Sequence, residues 1–164
     1  MQKATKFNID LNARNIEGNT AFQLAVSQSR LNIVEIFMKK SADLNLVLND
    51  KDTHGQTALH LARNKEVAEM LVQKSTELNI DLNAKDMNGQ TAFHKACQSN
   101  SLSRVAVWID NSEPFKIDLF IKDNQGKTGC QLALEGGVVG VVNIIKRKFR
   151  ERNIDLNGES LAHF

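Results

Sequence analysis

The side chains best suited to metal binding or acid–base chemistry are four histidines and two cysteines, namely His54, His60, His94, His163, Cys97 and Cys130. A zinc site or a catalytic dyad would need such groups in clusters with short, fixed spacings. The sequence contains no cluster of that kind. His60 and His94 instead stand at the same place in two copies of one motif, after a threonine. The spacing therefore predicts structural histidines, no metal or other cofactor, and no enzymatic activity.

The two cysteines have an ordinary structural interpretation. Cys97 falls in the middle of a predicted helix and Cys130 near the start of another, so they occupy different repeat positions and make a poor disulfide pair. Buried cysteine behaves as a small apolar residue in a reducing compartment. The sequence shows no secretory signal and no apolar stretch long enough to span a bilayer. We therefore expect an intracellular protein, cytoplasmic or nuclear, without membrane insertion.

The motif that contains His60 and His94 organises the whole chain. It begins with glycine, has threonine two positions later and ends with alanine, and its four copies are residues 18–25, 55–62, 89–96 and 126–133. The copies recur at intervals of about 34 to 37 residues, a period typical of stacked supersecondary units. A threonine between a turn and an apolar run predicts a helix N-cap. The predicted caps are Thr20, Thr57, Thr91 and Thr128.

The third residue after each threonine decides how the cap is completed. Gln23 and Gln131 are typical of a capping box, in which the side chain accepts a hydrogen bond from the backbone N–H of the cap residue. Histidine is not typical of that box, so we expect His60 and His94 to bond to backbone groups of the turn instead. Apolar stripes after each cap predict an inner and an outer helix in every unit. Trp108 falls on the stripe of the third outer helix and is predicted to be a core residue.

This pattern resembles the ankyrin repeat, whose signature is Thr-Pro-Leu-His-x-Ala at a period near 33 residues. The resemblance implies an all-α fold, an α-solenoid of stacked helix-turn-helix repeats with β-turn fingers. It extends over the chain as a single domain, residues 1–164. The predicted boundaries are a partial repeat at 1–14, four repeats at about 15–44, 52–82, 86–119 and 123–156, and a partial repeat at 157–164.

Three irregularities in the repeats lead to structural expectations. The Asp-Leu-Asn at 43–45 matches the motif that closes other units, which predicts a four-residue insertion and a longer second finger. The second unit is short between Ala62 and Val67, which predicts a clipped turn between its two helices. Pro114 is the single proline, and it predicts the end of any preceding helix and an exit loop.

The resemblance also implies a function, because the concave face of an ankyrin array usually binds another protein. That face consists of the finger tips and the exposed side of the inner helices, where the residues vary while their neighbours repeat. The predicted partner-binding residues are Ile16, Glu17, Asn19, Ser27, Gln28, Thr53, His54, Gln56, Met87, Asn88, Gln90, Gln98, Ser99, Asn124, Gln125 and Lys127. The unfinished first and last units predict that the ends of the array either fray or are covered by self-association.

The recurrent Asp-Leu-Asn motif supports two interpretations. Asp and Asn side chains bond to nearby backbone and stabilise turns, which is the structural interpretation. In the repeats that this chain resembles, the asparagine can also be a substrate for an asparaginyl hydroxylase. The candidate positions are Asn12, Asn45, Asn83 and Asn157, whereas Phe120 stands at this place in the third unit.

A basic stretch from Lys146 to Arg152 supports an alternative function, binding to nucleic acid or to an anionic surface. Against it, the net charge is only +2, and Phe149 is the single aromatic residue there that could stack on a base. Basic residues at a helix C-terminus commonly complement the helix dipole. Nucleic-acid binding is therefore the weaker prediction. A targeting or spacer segment of a larger protein is a further alternative, which these residues do not separate from protein binding.

Overall fold

The computed structural model describes residues 10–152. Residues 1–9 and 153–164 lie outside that range, and with them Asn157, His163 and the predicted partial repeat at 157–164. The described part of the chain forms ten helices: α1 Ala21–Ser27, α2 Leu31–Lys40, α3 Ala58–Leu61, α4 Lys65–Gln73, α5 Ser75–Leu78, α6 Ala92–Gln98, α7 Leu102–Asp110, α8 Ser112–Phe115, α9 Gly129–Glu135 and α10 Val139–Glu151. Inner helices α1, α3, α6 and α9 stack in one layer, and outer helices α2, α4, α7 and α10 stack in a second. The predicted all-α solenoid is confirmed.

The outer helices are held in the array by continuous apolar faces. In α4, Val67, Ala68, Leu71 and Val72 recur at helical spacing, and each is 0% exposed. In α7, Trp108 occupies the place that Leu71 has in α4, and it is buried. The prediction that Trp108 is a core residue is therefore confirmed. Burying a side chain of this size contributes roughly 1.5–3 kcal/mol, which offsets the weak intrinsic helix preference of valine-rich segments.

The inner helices begin where the sequence predicts. Each starts directly after a threonine with extended backbone, and a capping box is formed at all four starts, by Thr20, Thr57, Thr91 and Thr128. In α1, the Gln23 side chain accepts from the Thr20 N–H at 2.9 Å. The caps fix the angle at which each helix leaves its finger, because they satisfy the first backbone donors of the helix.

Four fingers connect the repeats, at residues 15–19, 52–56, 86–90 and 123–127. In the third finger the Asp86 N–H donates to the Gln90 carbonyl at 2.8 Å, and the Asp86 carboxylate accepts from the Asn88 and Gln90 N–H groups at 2.9 Å. A backbone bond joins each finger to the next, as from the Met87 N–H to the His54 carbonyl at 3.0 Å. The fingers therefore form one continuous row along the array.

The predicted insertion that lengthens the second finger is wrong. Asn45 has a left-handed backbone with φ 50°, and so have Asn79 with φ 52° and Lys116 with φ 54° at the matching turns of the next two repeats. From this left-handed residue, the same number of residues leads to the aspartate that opens the next finger in all three cases. The Asp-Leu-Asn at 43–45 resembles the closing motif but belongs to the turn before it.

The second repeat is short, but not where the sequence predicts. Its connection between the two helices, residues 62–64, is as long as residues 28–30 in the first repeat and 99–101 in the third. The missing residues come from the inner helix, since α3 has 4 residues whereas α1 and α6 have 7 each. The element that is clipped is therefore the last turn of an inner helix.

Pro114 lies in a short helix rather than in an open loop. Helix α7 does end before it, at Asp110, but the chain then forms the single turn of α8. Pro114 is the third residue of that turn, where the backbone N–H has no partner within the helix, so the missing donor costs nothing. The left-handed Lys116 ends α8 and directs the chain toward the next finger.

Candidate functional site

The tips of the fingers project two neighbouring side chains from every repeat. The exposed set is Ile16, Glu17, Thr53, His54, Met87, Asn88, Asn124 and Gln125. Backbone bonds hold the fingers in place. The side chains of Thr53 and Asn124 add a bond each, to the Glu17 and Met87 carbonyls of the preceding finger at 2.9 and 3.0 Å. Ile16 is 99% exposed and Met87 is 68% exposed. We call these eight residues the fingertip surface.

The four predicted residues at the base of the fingers are less accessible. Gln56, Gln90 and Lys127 are partly exposed and border the fingertip surface. Asn19 is only 8% exposed, its backbone N–H donates to the Asn15 side chain at 2.9 Å, and its side chain donates to Glu17 at 3.3 Å. Asn19 therefore supports the first finger from within, which corrects its predicted place among the partner-facing residues.

The predicted inner-helix residues divide in the same way. Gln28 and Gln98 are exposed at the ends of α1 and α6. Ser27 and Ser99 are half-buried, and their hydroxyls donate to carbonyls of their own helices at 3.0 and 2.7 Å. Helix α3 ends before it reaches this level, so the second repeat has no counterpart.

Four residues beside the fingers were missed by the sequence prediction: Leu24, Leu61, Lys95 and Leu132. They stand at one position of the inner helices and are all partly exposed. Lys95 shows that this position borders the fingers, because its Nζ lies 2.8 Å from the Asp86 carboxylate. The signal was present in the sequence, since a lysine among three equivalent leucines indicates a position that faces solvent.

The charge of this region is nearly balanced. Burial raises the pKa of Asp86, but the Lys95 ammonium and two backbone N–H groups outweigh burial, so the pKa of Asp86 lies below its usual value. Asp86 is therefore ionised and paired. In the fourth repeat, Lys127 pairs with Glu135. A mixed apolar and charge-balanced surface suits a folded protein or peptide better than a polyanion.

His60 and His94 complete capping boxes and also join neighbouring repeats. Nδ1 of His60 accepts from the Thr57 N–H at 3.1 Å, and Nε2 lies 2.9 Å from the Gln90 carbonyl, to which it donates. Nε2 of His94 is likewise 3.2 Å from the Lys127 carbonyl. The histidines do bond to backbone groups, but the expectation that they do so instead of completing a capping box is wrong. Burial lowers the pKa of both imidazoles, which favours the neutral form.

Asparagines at the repeat exits bridge neighbouring repeats. Asn12 donates from Nδ2 to the Asn45 carbonyl at 2.9 Å and accepts at Oδ1 from the Val47 N–H at 3.0 Å. Asn83 makes the same two bonds to the exit of the third repeat, at 3.0 and 2.9 Å. These bonds support the structural interpretation, because each amide both donates to and accepts from backbone groups of the next repeat.

The predicted place of Asn45 among the exit asparagines is wrong. Asn49 makes the bridge in the second repeat, donating to the Asn79 carbonyl at 2.7 Å and accepting from the Asp81 N–H at 3.1 Å. Asn45 is the left-handed turn residue described above. Hydroxylation stays a prediction for Asn12, Asn45, Asn83 and Asn157.

The basic stretch at the end of α10 is largely occupied by contacts within the chain. Lys148 and Arg152 lie 2.8 and 3.3 Å from the carboxylate of Asp110, and Arg147 pairs with a glutamate one turn further along α10. Phe149 is buried, as predicted, so it is not available to stack on a base. Nothing in this arrangement favours nucleic-acid binding over the fingertip surface.

The remaining candidates for chemistry are part of the core. Cys97 and Cys130 are both buried, which agrees with their interpretation as small apolar residues. Within residues 10–152, no group of three or more His, Cys, Asp or Glu side chains is placed to hold a metal ion. None of the helices described is both long and apolar enough to cross a membrane.

The comparison with known families identifies the same pattern. A family model described as ankyrin repeats, in 3 copies, matches residues 2–86, just over half of the chain. No curated protein matches the chain. The matched region includes the first two fingers and the helices α1 to α5.

Proposed function

This chain belongs to the ankyrin-repeat family, and we propose that it is a non-enzymatic module that binds a partner protein through the fingertip surface and the adjoining side of the inner helices. We also propose an intracellular location, in the cytoplasm or nucleus. Proteins of this family generally act in protein–protein interaction, and the chemistry of the surface is consistent with that role.

The observation that carries the proposal is the contrast between a regular backbone and irregular tips. Each finger makes the same backbone bonds, yet the exposed pair changes from Ile16 and Glu17 in the first finger to Asn124 and Gln125 in the fourth. Two large apolar side chains, Ile16 and Met87, are exposed along this row of fingertips, which supports contact with a partner. The apolar tips belong to the first and third fingers, so we expect the partner to cover at least the first three repeats.

The test is a charged substitution at one apolar tip. Met87→Glu should reduce recovery of the partner from cell extract by about tenfold or more, since it places a charge where an apolar contact is expected. Val139→Glu is the matched control, because Val139 has the same 68% exposure and lies on the outer layer, at the start of α10. Circular dichroism and thermal melting should show both variants folded.

The pair of variants separates binding from general surface effects. Loss of partner recovery in both variants, or in Val139→Glu alone, would count against the fingertip surface. Two additional variants, His54→Glu and Ile16→Glu, show whether the contact extends over neighbouring fingers. We expect the loss of partner recovery to be graded from the first finger to the third.

The face of α2 supports the predicted self-association. Ile33 is 47% and Ile36 is 60% exposed, whereas Val67 and Val141, which correspond to Ile33 in later repeats, are 0% exposed beneath a neighbouring repeat. We propose that a second copy covers this face. Sedimentation equilibrium should show a concentration-dependent dimer that Ile36→Glu abolishes; a monomer at all concentrations in the unmodified chain would remove the proposal.

A further inference from the structure

Two different side chains make the same connection between successive repeats. At the first junction, Gln23 accepts from the Thr20 N–H at 2.9 Å, and its amide nitrogen donates to the Gln56 carbonyl at 3.0 Å. At the next two junctions, His60 and His94 take this place. An amide does not change charge with pH, whereas an imidazole does.

Each histidine is bonded in a way that only the neutral ring allows. Nδ1 of His60 accepts from the Thr57 N–H, and Nδ1 of His94 accepts from the Thr91 N–H, both at 3.1 Å. A nitrogen that accepts a hydrogen bond carries no proton, so Nε2 carries it and donates across the junction. A second proton must therefore go to Nδ1, where it meets the N–H of the cap threonine.

A proton on Nδ1 has one possible hydrogen-bond acceptor nearby, but its use would leave another buried group unpaired. The Thr57 hydroxyl lies 2.9 Å from Nδ1 and can accept from a protonated ring, as can the Thr91 hydroxyl in the third repeat, also at 2.9 Å. The backbone N–H of the threonine would then lose its acceptor while it stays buried, since Thr57 is 3% exposed. An unsatisfied buried donor destabilises the inner-helix start.

The charges around the rings determine where on the pH scale this occurs. For His60, burial is the largest influence and lowers the pKa, the hydrogen bond to the Gln90 carbonyl and the charge of Asp86 raise it, and Lys95 and Lys51 lower it, so the pKa lies below the usual 6.5. Because the neutral ring is favoured in the folded state, its contribution to stability is present above the unfolded pKa of about 6.5 and is lost as the pH falls through the folded pKa.

His94 lies in similar surroundings. Burial again lowers its pKa most, the hydrogen bond to the Lys127 carbonyl and the charges of Asp123 and Asp86 raise it, and Lys85 lowers it, with the net pKa below 6.5. Both histidine junctions therefore respond to acid in the same direction.

The carbonyls that receive these bonds belong to the fingers. The Gln90 carbonyl closes the third finger by accepting from the Asp86 N–H at 2.8 Å, and the Lys127 carbonyl closes the fourth by accepting from the Asp123 N–H at 2.9 Å. The bond from the histidine ring thus ties each finger to the inner helix of the preceding repeat.

We propose that a proton on Nδ1 displaces the rings of His60 and His94 from their caps and thereby breaks their Nε2 bonds, which releases the third and fourth fingers, so that acid weakens partner binding there while the junction held by Gln23 stays intact. The statement about binding rests on the function proposed above. The release of the fingers does not depend on it. The second and third junctions of the array are then sensitive to pH, whereas the first junction is not.

The test measures backbone amide exchange by NMR at about pH 7.5 and about pH 5. The amides of Met87 and Asn124 donate to the preceding finger at 3.0 Å, and the Thr53 amide makes the equivalent bond at the first junction at 3.1 Å. After correction for the intrinsic effect of pH on exchange, protection at Met87 and Asn124 should fall about tenfold or more relative to Thr53.

The chain itself offers the matched control variant. His60→Gln with His94→Gln installs the side chain that already makes this connection at Gln23, and it should abolish the difference between Met87, Asn124 and Thr53. The reverse variant, Gln23→His, should make the Thr53 amide sensitive to acid, and it tests the proposal even if the double variant fails to fold. His54 and His163 are the same in all of these variants.

Two outcomes would overturn the proposal: equal acid sensitivity of the three amides in the unmodified chain, or undiminished sensitivity at Met87 and Asn124 in the double variant. Partner recovery at about pH 5 completes the test. It should be lost in the unmodified chain and retained in the double variant. Loss of partner recovery in both would overturn the proposal that acid controls partner binding. Undiminished partner recovery by Met87→Glu at neutral pH would contradict the proposed function, but it would not affect the conclusion from amide exchange.

Discussion

The second and third repeats differ most at their inner helices, and the difference shows how an irregular array stays closed. Helix α3 has 4 residues and α6 has 7, so the second repeat lacks a helical turn. The space beyond Ala62 is occupied by Arg104, which comes from the outer helix of the third repeat and donates to the Ala62 carbonyl at 2.9 Å. A deletion in one repeat is thus compensated by a side chain from the next.

Arg104 is exceptional for its position. The corresponding residues in the other three repeats are Ile33, Val67 and Val141, all β-branched and apolar. Arg104 is only 7% exposed, and it donates to the Ser99 hydroxyl as well as to Ala62.

Both groups that receive bonds from Arg104 stand at inner-helix C-termini, where carbonyls lack partners within the helix and the dipole favours a positive charge. Burial and, to a smaller extent, the nearby Arg63 lower the pKa of Arg104. The cost of burial also appears at Nε, which is buried without a hydrogen-bond partner. The comparison shows that two neighbouring repeats adapt to each other at the junction between them.

The largest expected effect follows from removing this side chain. Arg104→Ala should lower the free energy of unfolding by about 2–4 kcal/mol, because it leaves the Ala62 carbonyl unpaired and opens a cavity where α3 ends. Urea unfolding followed by the fluorescence of Trp108, the single tryptophan and a buried one, measures the change. Arg147→Ala on the exposed side of α10 is the control, with an expected loss below about 0.5 kcal/mol. Equal losses in the two variants would mean that Arg104 has no special role.

A second variant tests the compensation directly. Restoring a turn to α3 by inserting three residues after Ala62 should destabilise the chain, since the new turn needs the space and the carbonyl that Arg104 uses. Combining the insertion with Arg104→Val, the residue type at Val67 and Val141, should recover about 1–2 kcal/mol of that loss. A double-mutant cycle of urea unfolding measures the coupling. Strictly additive losses would show that the deletion and Arg104 are independent features.

The sequence was sufficient for those features that depend on local pattern. The threonine caps, the apolar stripes and the buried place of Trp108 follow from residue type and helical spacing, and all are confirmed. The fingertip residues could be selected because Ile16 and Met87 vary where their neighbours repeat. The binding role of these tips remains a prediction.

Features that depend on contacts between repeats were not predictable in this way. The sequence places Asn45 in the Asp-Leu-Asn exit motif because its neighbours imitate that motif, and only the two bonds from Asn49 to the next repeat reveal the register. Arg104 looks like an ordinary surface arginine in the sequence. Its burial results from a deletion in the preceding repeat, which local pattern does not connect with it.

The smallest expected effect concerns the other exception in the third repeat, Lys95, which stands where its neighbours have leucine. Lys95→Leu should cost about 1 kcal/mol at neutral pH, because it removes the 2.8 Å ion pair with Asp86, whose side chain is 2% exposed. The folded pKa of Asp86 is lowered, so this stabilisation is present above the usual value of 3.8 and is lost as the pH falls through the folded pKa. The effect of the substitution should therefore shrink as the pH falls below 3.8 and through the folded pKa. Urea unfolding across that range, in the background of His60→Gln and His94→Gln, separates the effect of Asp86 from that of the two histidines.

Lys127→Leu, which removes the more exposed pair with Glu135, should cost only a few tenths of a kcal/mol. A loss in Lys95→Leu that is independent of pH would show that the aliphatic part of the lysine, rather than its charge, stabilises the third repeat.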